Sequence, residues 1–280
     1  RWRQRRWRQR RRPRRAPFTQ TLARAPGQSL LHRIEALSED ITIQAASLIT
    51  LPVVLYAGYI THLSGAGRHA RPVDAGLLAL AGLAIWVYCL ITTLRMIKTR
   101  RLLRLGYAGE LTVGQSLNHL MLEGYRVYHD FPAEGFNIDH IVVGSRGVFA
   151  VETKTRSKPI RANRREDATV TYDGRMLHFP TGSDHAMIDQ AKRQSKWLAR
   201  WLSQAVGENI SVRAVIALPG WFVKRTSPEG LPVVNPKQFA SLFRHIQPRA
   251  LSSELMTRIV HQLEQRCGGI PTETITHDPR

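Results

Sequence analysis

Residues 137–154 read NIDHIVVGSRGVFAVETK and show a clear strand-turn-strand pattern. Two runs rich in β-branched and aromatic residues, 137–143 and 147–154, flank the turn residues Gly144-Ser145-Arg146. This pattern predicts two strands joined as a β-hairpin. On the second strand Glu152 and Lys154 are two residues apart, so the strand period turns both side chains to one face.

Acidic residues stand at unusual places in this hairpin. Asp139 interrupts an otherwise apolar strand, and Glu152 directly follows the apolar run 148–151. Both acids therefore emerge from a packed sheet, where burying a carboxylate is costly without a cation. Carboxylates from adjacent strands suit one hard divalent cation, Mg²⁺ or Mn²⁺, and Lys154 could orient a water or offset phosphoryl charge. The spacing alone also fits a solvated strand end.

Further elements surround the hairpin on both sides. Residues 109–123 have helical spacing and end at Gly124, and residues 125–131 alternate as a short strand. Downstream, the pattern predicts a small hairpin at 169–179 around Asp173-Gly174, a helix at 184–206 and a buried strand at 212–218. The apolar pair Val233-Val234 and helices at 236–243 and 254–265 follow. This order predicts an α/β fold built around one mixed sheet flanked by helices.

Two long apolar segments precede this domain. Residues 41–63 contain no charged side chain, and residues 73–94 contain only Asp74, at their edge. At ~1.5 Å per residue, each helix would cross the ~30 Å hydrocarbon core of a bilayer. We predict a transmembrane hairpin; a buried helical hairpin in a soluble protein is the alternative. Glycines in the spans would permit close helix packing or a homodimer.

Charge indicates the orientation of this hairpin. Basic residues follow the second span at Arg95, Lys98, Arg100, Arg101 and Arg104, and Arg24 and Arg33 precede the first span. Since positive flanks stay in the cytoplasm, we predict a multi-pass protein of the inner (cytoplasmic) membrane with both termini cytoplasmic. The lipid bilayer is thus one expected partner.

The chain carries a formal net charge of +20, and ten of its arginines lie in residues 1–15. We expect residues 1–40 to form a largely disordered cytoplasmic tail, which would contact nucleic acid or lipid headgroups or merely help to orient the hairpin. The chain then divides into this tail, a hairpin with a basic juxtamembrane segment at 41–104, and a domain at 105–280. Two cysteines suggest neither a disulfide framework nor a zinc site.

Three runs together resemble a known family: Gly109-Glu110, residues 137–143 and residues 147–154. They look like the NERD (nuclease-related) domain of the PD-(D/E)XK nuclease superfamily, over about residues 106–220. The resemblance implies a restriction-endonuclease-like core. It also implies a catalytic set, consisting of Glu110, Asp139, Glu152, Lys154 and Gln190, in which Asp139, Glu152 and Glu110 are the metal ligands. Gln194, one turn from Gln190, is the alternative glutamine.

Together with the predicted transmembrane hairpin and its basic flanks, the resemblance implies a membrane-anchored, Mg²⁺- or Mn²⁺-dependent nuclease that cleaves DNA or RNA at the cytoplasmic face. The alternative is a non-catalytic, membrane-tethered nucleic-acid-binding or scaffolding module on the same fold. Strand alternation turns His140 away from Asp139, so we expect a packing or hydrogen-bonding histidine there. Basic residues at Lys158, Arg161, Arg164 and Arg165 would follow a phosphate backbone or simply face solvent.

Overall fold

The computed structural model describes residues 24–65, 72–159, 165–246 and 251–268. Several predicted features lie outside these ranges, namely the arginine-rich tail up to residue 23, most of the loop between the two spans, and Arg161 and Arg164 of the basic loop.

Two long helices form a hairpin at the start of the described chain: α1, Gln28–Gly65, and α2, Pro72–Asn118. They are long and apolar enough to cross a membrane. Their apolar side chains point outward, as with Ile49 and Tyr88, which are 72% and 69% exposed. The helices pack closely where Gly82 faces Leu55, and the Trp86 indole donates to the Leu48 carbonyl at 3.0 Å.

Both helices extend beyond the predicted spans. Helix α2 runs unbroken from the second apolar segment to Asn118, so the separate helix predicted for 109–123 is wrong in its start. Residues 95–108 are mostly good helix formers without proline, which lets the helix continue. A 3-10 turn, His119–Glu123, then ends at Gly124 in the left-handed conformation. Residues 28–40, placed by the sequence in a largely disordered tail, are helical.

The strands of the main sheet are β1, Arg126–Pro132; β2, Asn137–Gly144; β3, Gly147–Thr153; β7, Val212–Ala217; and β9, Val233–Val234. Among the described residues these five strands lie in the order β1-β2-β3-β7-β9. Strands β1, β2 and β3 are antiparallel neighbours, and β7 and β9 continue the sheet in parallel. The predicted hairpin is confirmed, with Gly144 opposite Gly147 beside its turn.

A second, smaller sheet consists of β4, Thr169–Tyr172; β5, Leu177–Phe179; β6, Gly182–Asp184; and β8, Phe222–Arg225. Its order is β6-β5-β4-β8, and its presence corrects the expectation of a single sheet. The hairpin predicted around Asp173-Gly174 is present as β4 and β5. Strands β6 and β8 were not predicted because they are short. In addition, β8 pairs with β4, a segment distant in the chain.

The described part of the chain contains three more α-helices: α3, Ala186–Val206; α4, Phe239–His245; and α5, Ser253–Cys267. One face of the main sheet packs on α3 and α5, and the other face packs on α4 and the end of α2. Helix α3 also contacts the small sheet through Ile188 and Ala191. The predicted α/β fold class, with a mixed sheet flanked by helices, is confirmed, and the small sheet is an addition to it.

Candidate active site

Glu152 lies at the centre of the candidate site, on the fully buried strand β3, and is 2% exposed. Its Oε1 atom accepts a hydrogen bond from Gln190 at 2.7 Å and is 2.6 Å from Lys154 Nζ. Its Oε2 atom is buried without a hydrogen-bond partner. Burying a carboxylate oxygen without a hydrogen-bond partner costs free energy. The neighbouring protein groups therefore satisfy only one of the two oxygens of the Glu152 carboxylate.

Asp139 projects from the neighbouring strand β2. Its Oδ2 atom accepts a hydrogen bond from the Thr153 backbone amide at 2.7 Å. Burial raises the pKa of Asp139 well above its usual value, and the negative charges of Glu152 and Glu110 raise this pKa further. The three carboxylates therefore repel one another, which is the electrostatic condition that a bound cation relieves.

Glu110 comes from α2 and is 8% exposed. Burial raises the pKa of Glu110 to about 7, with further contributions from the charges of Asp130 and Glu152. The preceding Gly109 explains how this helix comes so near: a Cβ at that position would overlap the Thr155 side chain. Without a side chain at Gly109, α2 can approach the end of β3 and bring Glu110 to the other acids.

Lys154 and Gln190 complete the group. Lys154 directly follows β3, and its Nζ donates a 2.9 Å hydrogen bond to Gln190 Oε1. Gln190 therefore bridges Lys154 and Glu152, whereas the alternative, Gln194, donates a long 3.4 Å bond to the Asn137 carbonyl. The structure thus brings all five predicted residues together, while their catalytic roles remain predictions.

Asp130 was missed by the sequence reasoning. It is 2% exposed, has a φ of 47°, and accepts hydrogen bonds from Ser29, Arg24 and Asn137. A cavity of about 460 Å³ is lined by Glu110, Asp139 and Asp130 together with Ser29, Leu30 and Arg33 of α1. The start of α1 therefore forms one wall of this acidic cleft. An acid within the strand pattern of residues 125–131 was the available signal.

Behind the site, two buried histidines contact each other, with 2.8 Å between their Nδ1 atoms. His129 Nε2 is 3.0 Å from Asn118 Oδ1, and His140 Nε2 is 3.1 Å from Thr153 Oγ1. With both rings neutral, Thr153 donates to His140, His140 to His129, and His129 to Asn118, so every ring nitrogen has a partner. The hydrogen-bonding role expected for His140 is confirmed.

Comparison with known families finds a match over the middle of the chain. Residues 105–219 match the family model of NERD, the nuclease-related domain. This part of the chain is a nuclease-related domain. No curated protein and no solved structure matches the chain. The NERD domain contains all five residues of the candidate site, whereas the α1 residues on the wall of the cleft lie outside it.

The acidic residues of the NERD domain can be tested for their fit to a divalent cation. Among residues 24–65, 72–159, 165–246 and 251–268, no three His, Cys, Asp or Glu side chains form a preassembled metal site. Mg²⁺ does not require one, since it is commonly held by one or two carboxylates and several waters. Asp139 and the unpartnered Glu152 Oε2 provide such a pair, so the residues fit.

Proposed function

We propose that this protein is a membrane-anchored nuclease that hydrolyses phosphodiester bonds in DNA or RNA with Mg²⁺ or Mn²⁺ at the cytoplasmic face of the membrane. One observation carries the proposal: Glu152 Oε2 is buried and unpartnered beside two further carboxylates, Asp139 and Glu110. Such a cluster suits a cation, and the lysine next to it suits a phosphate substrate.

Asp139 and Glu152 would hold the cation, with Glu110 as a further ligand or as the residue that positions water. When bound, a divalent cation lowers the pKa of water and stabilises charge on phosphoryl oxygens. Lys154 Nζ would orient the attacking water or offset charge on the phosphoryl group. Gln190 is a positioning residue, because it accepts from Lys154 and donates to Glu152.

The outward-facing apolar helices support the membrane anchor, and the basic residues that follow the second span support a cytoplasmic domain. Because α2 is continuous, Glu110 stands on the same helix as the span, ~24 Å beyond Leu94 at ~1.5 Å per residue. The candidate site would thus be held close to the membrane surface. Reporter fusions at both ends of the chain test this, and a periplasmic signal from either would contradict the topology.

Cleavage is tested on the full chain in lipid nanodiscs, with labelled single-stranded and duplex DNA and RNA in Mg²⁺, Mn²⁺ or EDTA. We expect products with either metal, none in EDTA, and none from Glu152→Gln. The exposed Glu229→Gln is the matched control and should retain activity.

A second candidate function is the non-catalytic nucleic-acid-binding module. One observation favours it, namely that the described residues contain no preassembled group of three metal-binding side chains. Binding of nucleic acid without cleavage under every metal condition would support this module and contradict the nuclease.

A further inference from the structure

Helix α3 carries an exposed row of cations beside the candidate site. Arg193, Lys196 and Arg200 recur at intervals of three or four residues, so they share one face of the helix. Among the described residues, none of the three forms an ion pair with an acidic side chain. Their charge is therefore available to an anionic ligand.

Aromatic rings lie between these cations. Trp197 and Trp201 are parallel to within 3°, with ring centroids 6.2 Å apart, and Phe136 meets Trp197 edge-on at 5.5 Å. Both indoles are partly exposed and also pack on the core of the main sheet. Arg266 lies 5.3 Å and 5.1 Å from their ring centroids, which helps to hold them in place.

Two adjoining cavities run along this surface. The larger, about 520 Å³, is lined by Phe136, Gln190, Arg193, Lys196, Trp197 and Arg200, together with Gln194. The smaller, about 220 Å³, shares Trp197 and Arg200 with it and adds Trp201, Gln204 and Glu134. The shared residues join the two cavities into one surface groove, which we call the α3 groove.

The α3 groove adjoins the candidate site. Gln190 lines the groove and also binds Lys154 and Glu152. Phe136 lines both the groove and the acidic cleft that contains Glu110 and Asp139. A chain that follows the groove would therefore arrive at the carboxylates.

We propose that the α3 groove binds single-stranded nucleic acid and leads it to the site, an inference that rests on the proposed function and names its substrate class. Phosphates contact Arg193, Lys196 and Arg200, and unpaired bases stack on Trp197 and Phe136. Stacking requires bases with free faces, which duplexes do not offer. Packing of the tryptophans on the core alone would not call for three unpaired cations around them.

The test measures binding separately from cleavage. The full chain in nanodiscs of zwitterionic lipid is titrated, in EDTA, with a labelled oligothymidine of about 15 nucleotides and with a duplex of equal length. Trp197→Leu keeps an apolar side chain against the core but removes the ring, whereas Trp197→Phe keeps a ring. We expect Trp197→Leu to weaken single-strand binding about tenfold and Trp197→Phe to change it less than about twofold.

Charge variants provide a second readout that does not depend on core packing. Arg193→Gln and Arg200→Gln should each weaken binding and reduce the salt dependence of the affinity, with a slope change of about 0.7 for each lost phosphate contact. Arg175 is an exposed cation in a turn of the small sheet, so Arg175→Gln is the matched control. This variant should leave the affinity and its salt dependence unchanged.

Equal losses in Trp197→Leu and Trp197→Phe would indicate a merely structural ring and overturn the proposal. Duplex binding as strong as single-strand binding would overturn it as well, as would salt dependence unchanged in both arginine variants. Single-strand binding that meets these expectations without cleavage in Mg²⁺ would support the α3 groove as a binding site and contradict the nuclease function. Failure of the groove proposal can therefore be distinguished from failure of the proposed nuclease function.

Discussion

The Ser29 hydroxyl, at the start of α1, donates a 2.6 Å hydrogen bond to the Asp130 carboxylate on β1. The Ser29 backbone amide donates to the same carboxylate at 3.1 Å, and Arg24 pairs with it at 3.0 Å. Asp130 therefore accepts from the first turn of α1, where a negative charge is also favoured by the helix dipole. The N-terminal segment and the NERD domain are thereby joined next to the acidic cleft.

This junction predicts that Asp130 stabilises the full chain through its contacts with α1. Asp130→Asn should lower the free energy of unfolding by about 2 kcal/mol, because the charged partner of Arg24 is lost. Asparagine tolerates the positive φ, so backbone strain does not add to this cost. Chemical denaturation of the full chain in detergent measures the difference.

The matched comparison uses the fragment 105–280, which we expect to fold by itself with a lower melting temperature. This fragment lacks Arg24 and Ser29, so Asp130→Asn should cost much less in it than in the full chain. An equal cost in both backgrounds would show that Asp130 acts within the domain alone. Failure of the fragment to show a cooperative transition would contradict the proposed domain boundary.

A second prediction separates the roles of the charged residues. Asp139→Ala should weaken Mn²⁺ binding at least about tenfold, since it removes an anionic ligand. Lys154→Ala should leave that affinity intact or raise it, because a nearby positive charge disfavours a cation. Both variants should abolish cleavage. Calorimetric titration of the full chain with Mn²⁺ measures these affinities. An unchanged affinity in Asp139→Ala would refute the assignment of Asp139 as a ligand.

Gly109 provides a test of how Glu110 is positioned. Gly109→Ala places a methyl group against Thr155, so we expect it to cost about 1–3 kcal/mol of stability and to lower kcat/KM by more than about tenfold. Gly106→Ala is the control one turn earlier, where a Cβ would sit 3.4 Å from the Leu30 side chain. It should be neutral or slightly stabilising. Equal effects of the two variants on activity would contradict this account.

The paired histidines predict a pH-dependent contribution to stability. Burial lowers the pKa of His129 to about 4 from its usual value of 6.5. Below pH 6.5 the unfolded chain binds a proton there that the folded chain does not, so this contribution is lost as the pH falls towards about 4. The expected loss is on the order of 3 kcal/mol over that window.

The raised pKa values of Glu110 and Asp139 act in the opposite direction over the same pH range, so the histidine contribution is measured as a difference between proteins. In EDTA, His129→Gln should lose less stability on acidification than wild type. His119→Gln, at an exposed position, is the control. Parallel stability curves for wild type and His129→Gln would contradict the prediction.

Much of the secondary structure could be predicted from local sequence pattern. The hairpin at 137–154 was predictable because alternation and turn residues are properties of neighbours in the chain. The same holds for the two apolar segments, whose composition predicts long apolar helices, although both helices extend beyond the predicted spans. The second sheet was not predictable in full, because β8 acquires its partner, β4, only when the chain folds back.

Local pattern was enough to indicate Asp139, Glu152 and Lys154 as candidate site residues, because they interrupt or end apolar strands. The choice between Gln190 and Gln194 required the folded chain, because it depends on which of the two faces Glu152. The tertiary structure also decided that α1 forms a wall of the cleft through Ser29 and Asp130. These contacts join residues far apart in the chain, and local periodicity carries no information about such pairings.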